Sequence, residues 1–440
     1  MLDRPTRIAF YLPQFHPIVE NDGWYGTGFT EWRNVVQAKP LFSGHYQPHI
    51  PADLGFYDLR VPEVREAQAR MAKRHGIDAF CYYHYWFRGQ RPLRRVLDDL
   101  LNHGMPNMPF CIAWANENWS RHWDASRNEV LLKQEYDSAD DEAHGRYLQS
   151  LLEHPLYLRV NGRPVLFIYR IQAMPNPAAT LAMWRDMWRE ADIGEVEIIK
   201  FESHGDHLDP TLYGADSSAQ FMPHGVPADQ MRIRPLGCHR DNIVHDYEQV
   251  VDWHLSQEPV EWRRHECVFP SWDNTPRRGE GRSHVFHGST PERYGQWLAE
   301  VYRRAPRDGL VLINAWNEWA ESAHLEPDLE HGSAYLEATA RAFGVDPGSD
   351  VPVAPVPDGA VPFKQRDHFA DLYLDAVEAL TRLQLRYSRL QGSIDRQIQL
   401  AEADIVQTRA DALTLKRDND RLKSDNARLQ QQLARVKEAS

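Results

Sequence analysis

Asn317-Glu318-Trp319-Ala320-Glu321 places two carboxylates three residues apart. On a helical turn that spacing puts both on one side, with Cβ atoms about 5–6 Å apart. Glycosyl transfer uses such a pair, one acid kept protonated and one ionised as base or nucleophile. Retaining chemistry sets the two about 5–5.5 Å apart. Close acids also split their own titration and raise one pKa, which is the division that acid and base roles require. A helix macrodipole favours acids near an N-terminus without any chemistry. Position after a long apolar run, between two tryptophans, favours the catalytic reading for Glu318 and Glu321. Glu117 with Asp124 is a weaker second pair, since Asn116-Glu117-Asn118-Trp119 suits hydroxyl binding better.

Other chemistries find little support in the spacing. The 21 histidines are scattered, and no His-x-x-x-His stands beside a carboxylate on an evident helix. His239 with His245 is the best spacing on offer, in a loop-like stretch, so no metal is expected. A Ser or Cys nucleophile would need a Gly-x-Ser-x-Gly elbow, and none occurs. No Gly-x-Gly-x-x-Gly follows the first apolar run, whose exit is Pro13-Gln14-Phe15-His16. A nucleotide-phosphate cradle is therefore missing where a doubly wound sheet would hold it, and no cofactor is expected.

The elements that position these residues are legible as apolar runs at 7–16, 78–87, 108–119, 163–170, 195–202, 215–223, 266–274 and 309–318. Helical patterns such as 62–75, 93–103, 139–152, 178–190 and 291–304 lie between them. Near-continuous apolar strands separated by helices indicate a parallel sheet covered on both faces. About eight such units predict an α/β fold of the (β/α)8 barrel type, a TIM barrel, over residues 1–345. Its active site would lie at the C-terminal ends of the strands. Read in that way, the first run ends in Tyr11 and His16, and its long loop carries Glu31 and Trp32. The second ends in His84, Tyr85 and Trp86, and the third in Asn116, Glu117, Asn118 and Trp119. The fourth supplies Arg170, the seventh Trp272 and Asn274, and the eighth Asn317, Trp319 and Glu326 beside the two acids. Indole and phenol rings beside amides and charges suit carbohydrate, whose C–H faces pack on rings and whose hydroxyls need directed partners. A single Trp more often fills a core. Clustering at strand ends turns that balance for Trp86, Trp119, Trp272 and Trp319.

The chain of 440 residues has 63 acidic and 50 basic side chains, a formal charge of −13. This balance argues against a nucleic-acid or anionic-lipid partner. No stretch approaches the ~18 apolar residues of a membrane span. The start, Met1-Leu2-Asp3-Arg4-Pro5, lacks the basic and apolar regions of a secretory signal, so a cytoplasmic location is expected. The 4 scattered cysteines, Cys81, Cys111, Cys238 and Cys267, read as reduced thiols rather than a disulfide framework. Residues 346–364 are rich in Pro, Gly and Asp and read as a linker. From 365 to 440 proline is absent, and a seam at Ile398, Ala401, Ile405, Thr408, Ala412, Leu415, Asn419, Leu422, Asn426, Leu429, Leu433 and Val436 steps by three and four. That is a heptad repeat, and asparagine at two a positions is a register device of parallel dimers. A homodimer through this coiled coil is expected.

Several long motifs carry a resemblance. Tyr11-Leu12-Pro13-Gln14-Phe15-His16-Pro17, Gly28-Phe29-Thr30-Glu31-Trp32, Gly44-His45-Tyr46-Gln47-Pro48, Phe80-Cys81-Tyr82-Tyr83-His84-Tyr85-Trp86-Phe87 and Trp114-Ala115-Asn116-Glu117-Asn118-Trp119 resemble the WbsX-type family. Its members are bacterial proteins of surface-polysaccharide gene sets, described as glycosyltransferase-like or as glycoside hydrolase family 99-like. The acidic motif with Glu326 beyond it is similar to the signature of family 99 endo-α-mannosidases, metal-independent (β/α)8 enzymes acting with retention. That resemblance implies Glu318 as the base on a sugar 2-hydroxyl and Glu321 as the acid/base, with Ala320 where those enzymes commonly have His. It implies an oligosaccharide or polysaccharide substrate, in the making or trimming of a bacterial surface polysaccharide such as O-antigen. Whether the acceptor is water or a sugar stays open, as does a sugar-nucleotide or lipid-linked donor. A non-catalytic glycan-binding scaffold is the rival from another class.

Overall fold

A computed structural model describes residues 4–121, 129–227, 230–348 and 415–428. Eight parallel strands, β1 (Thr6–Tyr11), β2 (Ala79–His84), β3 (Phe110–Trp114), β4 (Arg163–Ile168), β5 (Glu197–Glu202), β6 (Ser217–Gln220), β7 (Arg264–Val268) and β8 (Leu310–Ile313), each pair with the next in the chain. β8 returns to β1, with Thr6 opposite Leu310 and Ala9 opposite Ile313, so the sheet closes on itself. The eight expected apolar runs are these eight strands, and the (β/α)8 barrel expectation holds. Most strands stop short of the predicted runs, because the C-terminal part of each run leaves the ladder to build the loops above.

All six residues of β1 and of β2 are buried, as strands between an inner core and an outer helix layer must be. Phe10, Phe167, Phe201 and Phe221 fill the barrel interior, with Phe201 ring centroids 5.3, 5.1 and 4.9 Å from those of the other three. The barrel is therefore a packed core rather than a pore.

The helices are α1 (Val19–Tyr25), α2 (Trp32–Gln37), α3 (Pro62–Arg74), α4 (Arg95–His103), α5 (Ser138–Leu152), α6 (Pro177–Glu190), α7 (Tyr247–Leu255), α8 (Thr275–Arg278), α9 (Pro291–Arg304) and α10 (Ala334–Ala342). The five predicted helical patterns are α3, α4, α5, α6 and α9, each within two residues. Their starts follow from caps: Asp137, Asn176 and Thr290 accept the amides of Asp140, Ala179 and Arg293, which satisfies donors that the first turn leaves unpaired. The step from β5 to β6 has no α-helix, only a 3-10 turn at Pro210–Tyr213.

Beyond the barrel, Trp119–Arg121 pairs antiparallel with Glu129–Leu132, and two further small sheets stand on the C-terminal end of the barrel. One runs in the order Arg232–Ile233, Ile243–Asp246, His284–His287, Trp272–Asp273. The other is a hairpin of Asn317–Glu318 against Ala323–His324, joined by a 3-10 turn at Trp319–Glu321. The acidic motif is thus a tight hairpin and not the first turn of an α-helix, a correction to the sequence expectation.

Apart from residues 346–348, the expected linker lies outside the described residues, as does most of the expected coiled coil. Within the latter, residues 415–428 form a helix. Cys81, Cys111 and Cys267 are buried free thiols and Cys238 is half-buried. Among the described residues no helix is long and apolar enough to cross a membrane.

Candidate active site

The hairpin is latched to the exit of β1. Asn317 Oδ1 accepts the Leu12 amide at 2.7 Å, and Asn317 Nδ2 donates to the Leu12 carbonyl at 3.0 Å. A side-chain amide thus copies a strand partner at the exit of β1. Beneath it, Glu326 is clamped by four donors, Trp319 Nε1 (2.7 Å), Tyr57 Oη (2.7 Å), Gln68 Nε2 (2.6 Å) and Trp316 Nε1 (3.0 Å). Trp319 is fully buried and pulled under the turn by that bond. Left-handed Ser322, at φ 51°, closes the turn. With Asn317 and Trp319 tied below, Glu318 and Glu321 project upward into a cleft of about 440 Å³.

There both acids meet one cation. Arg277, from α8, donates Nη1 to Glu321 Oε1 at 2.6 Å and Nη2 to Glu318 Oε2 at 3.0 Å. The same guanidinium holds Glu31 in a two-pronged pair, Nε to Oε1 at 2.9 Å and Nη2 to Oε2 at 2.7 Å. Trp272 Nε1 adds a bond to Glu321 Oε2 at 3.1 Å. One guanidinium thus faces three carboxylates, of which Glu31 and Glu318 are buried and Glu321 is partly exposed. Burial, with the charges of Glu321 and Glu31 added, pushes Glu318 up to about 8 against the pull of Arg277. Burial likewise takes Glu326 up to about 7, opposed by its four donors. Near neutral pH Glu318 therefore keeps its proton, beside Arg277 and Glu321.

Aromatic rings wall the cleft. Trp119 stands edge-on to Trp24 (5.9 Å) and Tyr85 (4.9 Å), Trp272 lies across from them beside Glu321, and Tyr83, Tyr169 and Phe221 line its base above the barrel plug. Glu117 reaches the rim with Arg170 Nη1 at 3.8 Å and His204 Nε2 at 3.9 Å, and burial raises its pKa.

Of the residues singled out in the sequence, Glu31, Tyr85, Glu117, Asn118, Trp119, Trp272, Asn274, Glu318 and Glu321 come together around this cleft. Arg170 stands next to it. The others lie behind it, each for a visible reason. Tyr11 is buried and donates to Gln68 Oε1 on α3 at 2.6 Å. His16 is buried, which drops its pKa to about 4. Trp32 packs on Phe15 and donates to the Tyr57 carbonyl. His84 faces His144 at 3.0 Å. Trp86 stacks on His144 at 4.6 Å and donates to Asp140. Asn116 clips the backbone of Arg170 through both ends of its amide. Asn317, Trp319 and Glu326 brace the hairpin. Asp124, the partner suggested for Glu117, lies outside the described residues. Arg277 was not foreseen; its only trace in the sequence is an Arg-Arg pair just past Trp272-Asp273-Asn274.

The sequence profile of the family described as "Glycosyltransferase WbsX" matches residues 7–339, from β1 into α10. The chain belongs to this family. Two relatives from Xanthomonas campestris pv. campestris, strains ATCC 33913 and B100, both called "Uncharacterized protein WxcX", are 41% identical to it over 351 residues. The matched stretch covers 77% of this WbsX-family chain and 49% of each relative, so the chain spans about half the length of the curated relatives it matches. A solved "Glycoside hydrolase-like protein" superimposes with a TM-score of 0.50 at 14% identity, over 77% of this chain and 94% of its own. That likeness speaks for the fold alone. An endo-alpha-mannosidase of glycoside hydrolase family 99 from Bacteroides thetaiotaomicron aligns with a TM-score of 0.46 at 16% identity, over 78% of this chain and 97% of its own.

Proposed function

We propose that this WbsX-family barrel is a carbohydrate-active enzyme that transfers or hydrolyses α-linked sugars with retention, in building or trimming a bacterial surface polysaccharide such as O-antigen. The observation that carries the reading is the convergence of Glu318 and Glu321 on adjacent nitrogens of Arg277, inside a cleft walled by Trp119 and Trp272. The family resemblance assigns the steps. Glu318 takes the proton of a sugar 2-hydroxyl, whose oxygen closes on the anomeric carbon as the bond to the leaving group breaks. Glu321 gives its proton to the departing oxygen and then takes one from the acceptor, which reopens the three-membered ring as Glu318 returns its proton to the 2-oxygen. Burial holds the proton on Glu318, so its role as base calls for the ionised form that the bond from Arg277 favours. Water as acceptor gives hydrolysis and a sugar hydroxyl gives chain growth; the family description favours the second.

Incubating the protein with a panel of α-mannosyl and related oligosaccharides, with product anomers read by NMR, tests this directly. Retained configuration in the wild type and its loss in both Glu318→Gln and Glu321→Gln are expected. Unchanged length and composition of the surface polysaccharide in cells carrying each of the two variants would instead support a non-catalytic glycan-binding scaffold. The heptad seam supports a dimer of the full chain, and a chain ending near residue 345 is expected to sediment as a monomer.

A further inference from the structure

Three ligand-type atoms from two distant segments meet behind the acidic hairpin. His49 Nδ1 lies 2.8 Å from His324 Nε2. Asp328 Oδ2 lies 3.7 Å from the first and 3.8 Å from the second. All three residues are buried, and the three atoms form one compact group. Chain spacing hides the cluster, because 275 residues separate the two histidines.

Each ligand is aimed from outside the group. His324 Nδ1 faces the Glu326 carbonyl at 2.8 Å; that nitrogen must carry the hydrogen, which leaves Nε2 a bare lone pair pointing inward. Trp319 stacks on the same ring at 3.7 Å, and Tyr46 stacks on His49 at 4.3 Å. Asp328 Oδ1 accepts the His331 amide at 2.6 Å, which turns Oδ2 toward the imidazoles.

We infer that His49, His324 and Asp328 form a zinc site that fastens the segment around His49 to the hairpin carrying Glu318 and Glu321. A tetrahedral ion with bonds of ~2.0–2.1 Å holds its ligand atoms roughly 3.3–3.4 Å apart, and the three separations here lie on either side of that value. Two neutral imidazoles and a carboxylate are a ligand set that zinc accepts. The Glu326 carbonyl and the His331 amide are the outer partners that orient such ligands. Stacked rings on two sides suit a bracing ion, and none of the three ligands lines the acidic cleft. The site stands apart from the catalytic assignment and survives if that assignment fails.

Elemental analysis of the full chain, purified without chelator and with any affinity tag removed, reads the result. About one zinc per chain is expected, with a loss of roughly tenfold or more in Asp328→Asn and His324→Gln. Cobalt exchanged into the wild type is expected to give the intense visible bands of a tetrahedral ion, absent from Asp328→Asn. Because a variant can fail to fold, the wild type is also stripped with chelator, and its unfolding midpoint is expected to fall and to return with zinc but not magnesium. Folded wild type that takes up less than about a tenth of an equivalent, with no midpoint shift on adding zinc, overturns the site and leaves His49 donating to His324 Nε2. Equal zinc in wild type and both folded variants overturns it as well, since the ion then sits elsewhere.

Discussion

Glu318→Gln converts the burial of one carboxyl into a measurable pH dependence of stability. The amide copies the shape of a protonated carboxyl and still offers an oxygen to Arg277, but it cannot ionise. Folded wild type keeps the Glu318 proton up to about 8, whereas a glutamate in the unfolded chain loses it near 4.5. Between those values the folded state binds more protons than the unfolded state, so rising pH removes wild-type stability. That interval, at ~1.36 kcal/mol per pH unit, comes to roughly 5 kcal/mol. Glu318 is only 5% exposed, so little of this is lost to solvent screening. Glu326 titrates in the same direction, but it is present in both proteins and cancels in the difference. Urea unfolding across about pH 5 to 9 is the assay. The two proteins should differ little at the acid end, with the variant more stable by about 3–5 kcal/mol at the alkaline end. A difference that is flat with pH, or that grows in favour of the wild type, refutes the placement of Glu318 in a buried, acid-crowded site.

Turnover, once a substrate is found, should rise as pH climbs toward about 8, as Glu318 loses the proton that keeps it from acting as base; a profile flat from about pH 6 to 9 would contradict it. Arg277→Met leaves Glu31, Glu318 and Glu321 without their common cation and should cost about 3–5 kcal/mol by denaturant unfolding near neutral pH. The cost should shrink in a Glu31→Gln background, and an unchanged cost would refute the shared pairing. Trp272→Phe keeps the ring but removes the donor to Glu321, a loss of ~1.5–3 kcal/mol that reads as about 10–100-fold in kcat; unaltered kcat would deny Glu321 its role. Gly145→Ala in α5 would place a Cβ 2.5 Å from Trp184 Cδ1. Helix propensity favours that exchange by roughly 1 kcal/mol, yet the clash should reverse it to a loss of ~1–3 kcal/mol. A raised thermal midpoint would show that Trp184 gives way.

The parallel strands were legible where both faces bury apolar side chains, as in β2, β3, β4 and β8; β5 and β6 bury Glu197, Lys200, Glu202, Ser217, Ser218 and Gln220 among theirs. Which side chain at a strand end enters the cleft was not legible. Neighbours along an extended chain point to opposite faces, so every strand exit offers one residue inward and the next outward. Phe10 fills the barrel and Tyr11 turns to α3. Tyr85 reaches the cleft and His84 turns to α5. Glu117 and Glu318 face inward, while Asn116 and Asn317 clip loops from behind. Reading whole exits as binding surface counted both sets. Trp86 and Trp319 were misplaced for that reason. Arg277 was hidden for another: its meaning depends on Glu31, 246 residues away, and no local pattern reports a partner at that range. The predicted helix for the acidic pair failed because the turn is built by ties to Leu12 and Glu326 rather than by helix propensity.

The junction of β1 with β8 imposes a schedule on synthesis. β1 is complete at Tyr11, but its second neighbour begins at Leu310. At ~5–20 residues per second the ribosome takes roughly 15–60 s to deliver it. For that time a nascent chain carries unpaired ribbon edges, the surfaces on which strands from other chains add. Messages cut short before the last strand should therefore yield insoluble or chaperone-bound fragments rather than smaller working barrels. The two acids, encoded just after that strand, reach the molecule only once closure is within reach.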